Sequence, residues 1–163
     1  MKIFLRILML NLIITFVVKL SYADFIDNDV ADAYAEFIEI LNKNISGVKN
    51  NGKFCIFGSD EISNAIIFRN NDYLEIYDDL KNIERCGLAY IALNKKKSFR
   101  FLSNKFIENN VLTVANYNDF TITDNGIIEI QLGRRNFELI INKKQIKSGN
   151  FKLNPLINSL VIN

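Results

Sequence analysis

The residues best suited to chemistry are the two cysteines, Cys55 and Cys86, because the groups that other catalytic chemistries need are missing. The 163 residues contain no histidine and no tryptophan. A serine or cysteine nucleophile activated by imidazole is therefore excluded in its usual forms. Two thiols without a histidine cannot complete the four nitrogen or sulfur ligands of a structural zinc site. No CxxC spacing brings the sulfurs together locally, which argues against a redox-active pair. The alternatives left are a disulfide and two buried free thiols, and the compartment weighs between them.

The stretch KFCIFGSDE, residues 53–61, carries one of these cysteines and a strand–glycine–helix pattern. A dinucleotide fingerprint needs three glycines at fixed spacing, and a P-loop needs GxxxxGK[ST]. Here Gly58 stands alone, followed by Ser59, Asp60 and Glu61. Two carboxylates would repel a phosphate, so the stretch reads as a junction whose acids serve the helix dipole. Paired acids recur at Asp27, Asp29 and Asp32 and at Asp78 and Asp79. They fall at a helix start and in a loop, where solvated charge is expected instead of acid–base work. The run Lys95-Lys96-Lys97 reads as a solvated loop. Arg134-Arg135 reads as an exposed hairpin tip that could meet an acidic partner. Asn44-Ile45-Ser46 matches the glycosylation sequon, a signal many chains carry by chance. No nucleophile, base and oxyanion donor can be assembled, so neither catalytic residues nor a cofactor or metal site is expected.

The chain opens MKIFLRILMLNLIITFVVKLSYADF. Lys2 and Arg6 precede an apolar run from Ile7 to Val18, and Ser21-Tyr22-Ala23 places small residues where a signal peptidase reads. This is the layout of a secretory leader, residues 1–23, with cleavage expected between Ala23 and Asp24. The apolar run is short of the ~20 residues a membrane span needs. Three of the 20 basic residues lie in the leader, and none of the 18 acids. Residues 24–163 thus carry a net charge of −1, which removes the compositional case for nucleic-acid binding. They form one domain of ordinary size. An exported chain with two cysteines usually pairs them.

The elements that must position these residues alternate in type. Val30, Tyr34, Phe37, Ile38, Leu41 and Ile45 recur at helical spacing over 29–45. A strand over 53–57 leads into a helix over about 60–68, with a second strand over 73–77. Residues 87–93 form a third, nearly all apolar, as a strand buried on both faces should be. A helix carrying Phe99, Leu102, Phe106 and Ile107 precedes a strand over 111–115. Residues 127–132 and 137–141 pair as a hairpin across Gly133–Asn136. Asn142 caps a short helix ending near Gly149, and Asn154-Pro155 opens a last turn. The alternation predicts a single-domain three-layer α/β sandwich with a mainly parallel central sheet and a C-terminal antiparallel hairpin. Cys55 and Cys86 fall on strands that are often neighbours in doubly wound sheets, so a bridge between them is geometrically plausible.

In order and spacing, these segments resemble the YfiR-like family of bacterial periplasmic proteins over about residues 31–161. AYAEFIEIL resembles its opening helix, KFCIFGSDE its first strand, and LKNIERCGLAYIAL the segment where a second cysteine precedes a buried strand. VLTVANYNDF, NGIIEIQL and FKLNPLINSL resemble its later segments. Asn125-Gly126 stands where the family has paired glycines, and Asn150 and Asn154 replace a glycine and a serine cap. Glu138 stands where a basic residue is common, so Arg134, Arg135 and Glu138 are the candidate partner contacts.

The resemblance implies a regulator that is not an enzyme. It would bind and repress the periplasmic sensor region of an inner-membrane diguanylate cyclase, and an outer-membrane peptidoglycan-associated lipoprotein would sequester it. It also implies a Cys55–Cys86 disulfide linking redox state to folding. A homodimer is a further expectation. Two other readings compete: a binding module for a small periplasmic ligand, with a cleft near Ser59 and Asn116, and a regulator of another membrane sensor such as a kinase.

Overall fold

Periodicity and caps set the first element. In the computed structural model, which describes residues 28–49, 52–69, 74–134 and 136–162, helix α1 (Asn28–Asn44) buries Tyr34, Phe37, Ile38 and Leu41 on one face. It stops one residue short of the predicted end. Ile45 instead opens β1 (Ile45–Ser46), which pairs antiparallel with β8 (Lys152–Leu153). The sequon residue Asn44 closes the helix, its side-chain amide donating to Ile40 O at 2.8 Å. The leader with its Ala23–Asp24 junction, Asp27, the Asn50-Asn51 turn, the Asn70–Asp72 break and Arg135 lie outside the described residues.

The sheet follows from strands β2 (Lys53–Phe57), β3 (Leu74–Tyr77), β4 (Cys86–Ile91), β5 (Leu112–Ala115), β6 (Ile128–Leu132) and β7 (Phe137–Ile141). Their order is β3-β2-β4-β5-β6-β7. All neighbours are parallel except the β6–β7 pair. Helices α2 (Glu61–Arg69) and α3 (Lys96–Glu108) follow β2 and β4. This is the predicted mainly parallel α/β sheet with its antiparallel hairpin. Short single turns at Ile83–Arg85 and Leu93–Lys95 border β4.

The two-residue period of each strand divides the core in two. Ile56, Leu88, Tyr90, Val114 and Ile128 face α1 and α2, where Ile38, Leu41, Ile62 and Ile66 meet them. Cys55, Phe57, Ala89 and Ile91 face the other way, against Phe99 and Phe106 of α3. β4 is buried at every position, which accounts for its unbroken apolar sequence. The crossover from β5 to β6 carries turns in place of a helix, and its Phe120 fills the α3 side of the core. The hairpin closes through Gly133 N donating to Asn136 O at 2.9 Å. Its Phe137 ring rests on Tyr34 and Phe37, at 4.7 and 4.8 Å between centroids.

The C-terminal segment is held by asparagines in the predicted roles. Asn142 Oδ1 accepts from Gln145 N at 3.2 Å at the start of α4 (Lys143–Ser148). Asn150 takes the left-handed conformation, φ 54°, just beyond it. Asn154 Oδ1 accepts from Leu156 N at 3.0 Å and opens α5 (Pro155–Asn158). The tail then runs along β7: Leu139 N donates to Leu160 O, and Ile162 N donates to Leu139 O. An Asn154→Ala variant is expected to lose about 1 kcal/mol of stability through the cap alone. Urea denaturation followed by circular dichroism measures this, and an unchanged midpoint would contradict it.

Candidate functional site

Cys55 and Cys86 lie on adjacent parallel strands and on the same face of the sheet. A register shift at Lys53/Phe54 sets Cys86 beside Lys53, one diagonal step from Cys55. The sulfurs are bonded, with Cα atoms 5.7 Å apart. The alternative of two free thiols is therefore overturned. Both residues are fully buried, packed with Leu80, Ile83 and Phe106. The bridge closes a loop of 31 residues that contains α2 and β3 and joins the sheet's edge unit to its centre.

The carboxyl ends of β2, β4 and β5 are where α/β proteins commonly bind ligands, and here their polar groups are bonded to one another. Gly58 has φ +90°, and a Cβ there would lie 2.2 Å from Asn94 Oδ1 and 2.7 Å from Lys95 Cγ. Ser59 N, a donor a phosphate would need, points to Asn94 Oδ1 at 3.4 Å. Asp60 caps α2 reciprocally: its Oδ1 accepts from Ser63 N at 2.8 Å, and its own N donates to Ser63 Oγ at 2.7 Å. Its other oxygen accepts from the Tyr90 hydroxyl at 2.9 Å. Asn116 Oδ1 lies 3.0 Å from the same hydroxyl. Tyr90 is fully buried. Burial pushes its phenol well above the ordinary range and the Asp60 carboxylate adds to this, so it stays a neutral donor. Gly58→Ala combines a φ that an L-residue resists with a collision at Asn94. It is expected to lower stability by roughly 1–3 kcal/mol, readable as a fall in melting temperature. A melting temperature at or above that of the wild type would contradict the crowding.

On the α3 side, a polar cluster ties helix to crossover. Asp124 is fully buried, and its Oδ1 accepts from Arg100 Nε at 2.7 Å, with Arg100 Nη2 also 2.7 Å away. Lys96 Nζ lies 3.8 Å from Asp124 Oδ2 and 5.0 Å over the Tyr117 ring. Burial, then Asp124, push the Tyr117 phenol above its ordinary range. The lysine run therefore departs from the expected solvated loop. Lys95 Nζ donates to Asp78 O, and Lys96 Nζ to Asn118 O at 3.1 Å. Lys97 stays exposed. Local composition concealed this because the acceptors come from distant loops.

The remaining candidates meet at the hairpin. Arg134 and Glu138 line one open cleft of about 760 Å³ with Leu132, Gly133 and Asn136. Leu132 is 55% exposed, so an apolar side chain stands among the charges. Arg134 is exposed and Glu138 half-buried, while Arg135 lies outside the described residues. Among the described residues, no group of three or more metal-ligating side chains comes together.

No curated protein matches the chain. A crystal structure of a conserved domain protein from Vibrio cholerae O1 biovar El Tor superposes with a TM-score of 0.59 at 7% identity, over 80% of this chain and 58% of that one. The chain thus spans less than two thirds of that protein, and the likeness is one of fold. A family model described as YfiR/HmsC-like matches residues 34–160.

Proposed function

Because the chain belongs to the YfiR/HmsC-like family, we propose that it is a periplasmic regulator that binds the periplasmic sensor region of an inner-membrane diguanylate cyclase and represses it. The family match over residues 34–160 carries this reading. The buried Cys55–Cys86 disulfide supports it, because such bonds persist in oxidising compartments. In this reading residues 1–23 are a leader removed between Ala23 and Asp24, and residues 24–163 are the regulatory domain. The protein is not an enzyme. Repression requires tighter binding to the inactive arrangement of the sensor than to the active one. An outer-membrane peptidoglycan-associated lipoprotein would compete for the regulator.

The contact is assigned to the hairpin cleft, with Arg134 and Glu138 around Leu132, and Arg135, the third candidate, lies outside the described residues. Charge at a rim sets encounter rate and partner choice more than affinity. Arg134→Glu is expected to slow capture of the membrane partner by about tenfold or more at low salt and to leave the melting temperature unchanged. Surface plasmon resonance at two ionic strengths measures the rate, and equal rates for variant and wild type would remove the hairpin from the interface. Near Ser59 and Asn116, the residues of the small-ligand reading are engaged with one another: Ser59 N with Asn94, and the Tyr90 hydroxyl with Asp60 and Asn116.

The test is intracellular cyclic di-GMP in a clean deletion strain with plasmid complementation. A rise that the wild-type gene reverses supports repression of a cyclase. An unchanged level rejects it and turns the search to a kinase or another membrane sensor.

A further inference from the structure

The β5–β6 crossover encloses three side-chain oxygens that no protein group meets. Tyr117 OH, Thr121 Oγ1 and Asp124 Oδ2 are buried and make no hydrogen bond among the described residues. All three belong to one run of turns, residues 117–124. Tyr117 is 7% exposed, Thr121 4% and Asp124 0%. Buried polar groups nearly always find a partner, either in the protein or in an ordered water.

The surrounding groups are committed elsewhere. Asp124 Oδ1 is held by Arg100 Nε and Nη2, both at 2.7 Å. Lys96 Nζ stays 3.8 Å from Asp124 Oδ2 and donates to Asn118 O instead. Glu129 is also buried. Its Oε1 accepts from Gln131 Nε2 at 2.6 Å, and its Oε2 lies 3.5 Å from Thr121 N. Tyr117 keeps its proton, because burial and then the charge of Asp124 raise its phenol. It is thus a donor close enough to feel that carboxylate, yet it does not reach it.

Charge and hydrogen-bonding capacity select what joins them. Asp124 and Glu129 carry two negative charges, and Lys96 and Arg100 two positive ones. A cation would face Lys96 uncompensated, and an anion would face two carboxylates. A neutral molecule with two donors and two acceptors fits, and water is the smallest. It can donate to Asp124 Oδ2 and accept from the Tyr117 and Thr121 hydroxyls, and about three protein partners is usual for a buried water. We infer that the crossover is built around one internal water bound by Tyr117, Thr121 and Asp124. Lys96, over the Tyr117 ring at 5.0 Å, stands between this site and solvent. The water takes the place of packing contacts that a helix in this crossover would have made. This inference is independent of which membrane protein is regulated.

The test rests on the sign of a stability change. Tyr117→Phe and Thr121→Val keep the side-chain shape and remove one hydroxyl each. If the hydroxyls were unpaired, their removal would leave the melting temperature unchanged or raise it. With a shared water, each variant is expected to melt roughly 3 °C lower. The double variant should lose less than the sum, because both substitutions act on the same molecule. A high-resolution crystal structure of the wild type should show a water within hydrogen-bond distance of all three oxygens. A melting temperature at or above that of the wild type in both single variants overturns the inference. Strict additivity does so too, as does a crystal structure without that water. A wild-type melting temperature that rises in millimolar sodium or calcium chloride, with no rise in Thr121→Val, would replace the water by a cation.

Discussion

Replacing both Cys55 and Cys86 by alanine is expected to lower the unfolding free energy by about 3–4 kcal/mol, the chain-entropy value for a loop of this size. For a domain of this length that is a fall of roughly 10 °C in melting temperature. The stabilisation is lost through the unfolded state, so the native fold of the variant should survive at low temperature. Reduction should behave differently from mutation. Both cysteines are fully buried, and thiol exchange needs a thiolate to reach a sulfur. The folded protein should therefore keep its bond in millimolar dithiothreitol and lose it once urea opens the domain. Alkylation with a maleimide and mass spectrometry, with and without urea, separates the two cases. Rapid reduction of the folded protein would show that the bond is a switch accessible in the native state. Slow reduction that tracks unfolding would make it a condition for folding.

The second large effect is expected at Asp60. Asp60→Ala removes the cap of α2 and leaves the buried Tyr90 hydroxyl with Asn116 alone. A lost cap and a weakened buried hydrogen bond together are expected to amount to about 2–4 kcal/mol. Tyr90→Phe keeps the cap and should lose only about 1 kcal/mol. The double variant should then be more stable than the sum of the two singles predicts, because the hydroxyl no longer needs a partner. A coupling of about 1 kcal/mol or more in urea titrations would establish the link. Strict additivity would show that Asp60 acts only as a cap.

What could be read from the sequence was local. The buried strand β4 declared itself by its unbroken apolar run, and Asn142 and Asn154 by their place before short helices. The cysteines could be paired because the chain holds no others. Ile45 was misassigned because it is buried in β1 as it would be at the end of a helix, so its apolar character fits both. The networks at Asp60, Tyr90 and Asn116 and at Arg100 and Asp124 join residues 24 to 30 positions apart. Nothing in local spacing marks such pairs.

The β1–β8 pair sets an order of events as the chain emerges N-terminus first. Ile45 must wait for Leu153, almost the whole length of the domain. β2, β3 and β4 can assemble once residue 91 is out. The thiols can thus meet while the second half of the sheet is still missing, where an oxidant could join them before the core closes over them. Sealing comes last, when the tail lies down on β7. A chain that stops short of the tail could therefore be oxidised correctly and yet remain an unclosed sheet, with the β7 edge open to other chains.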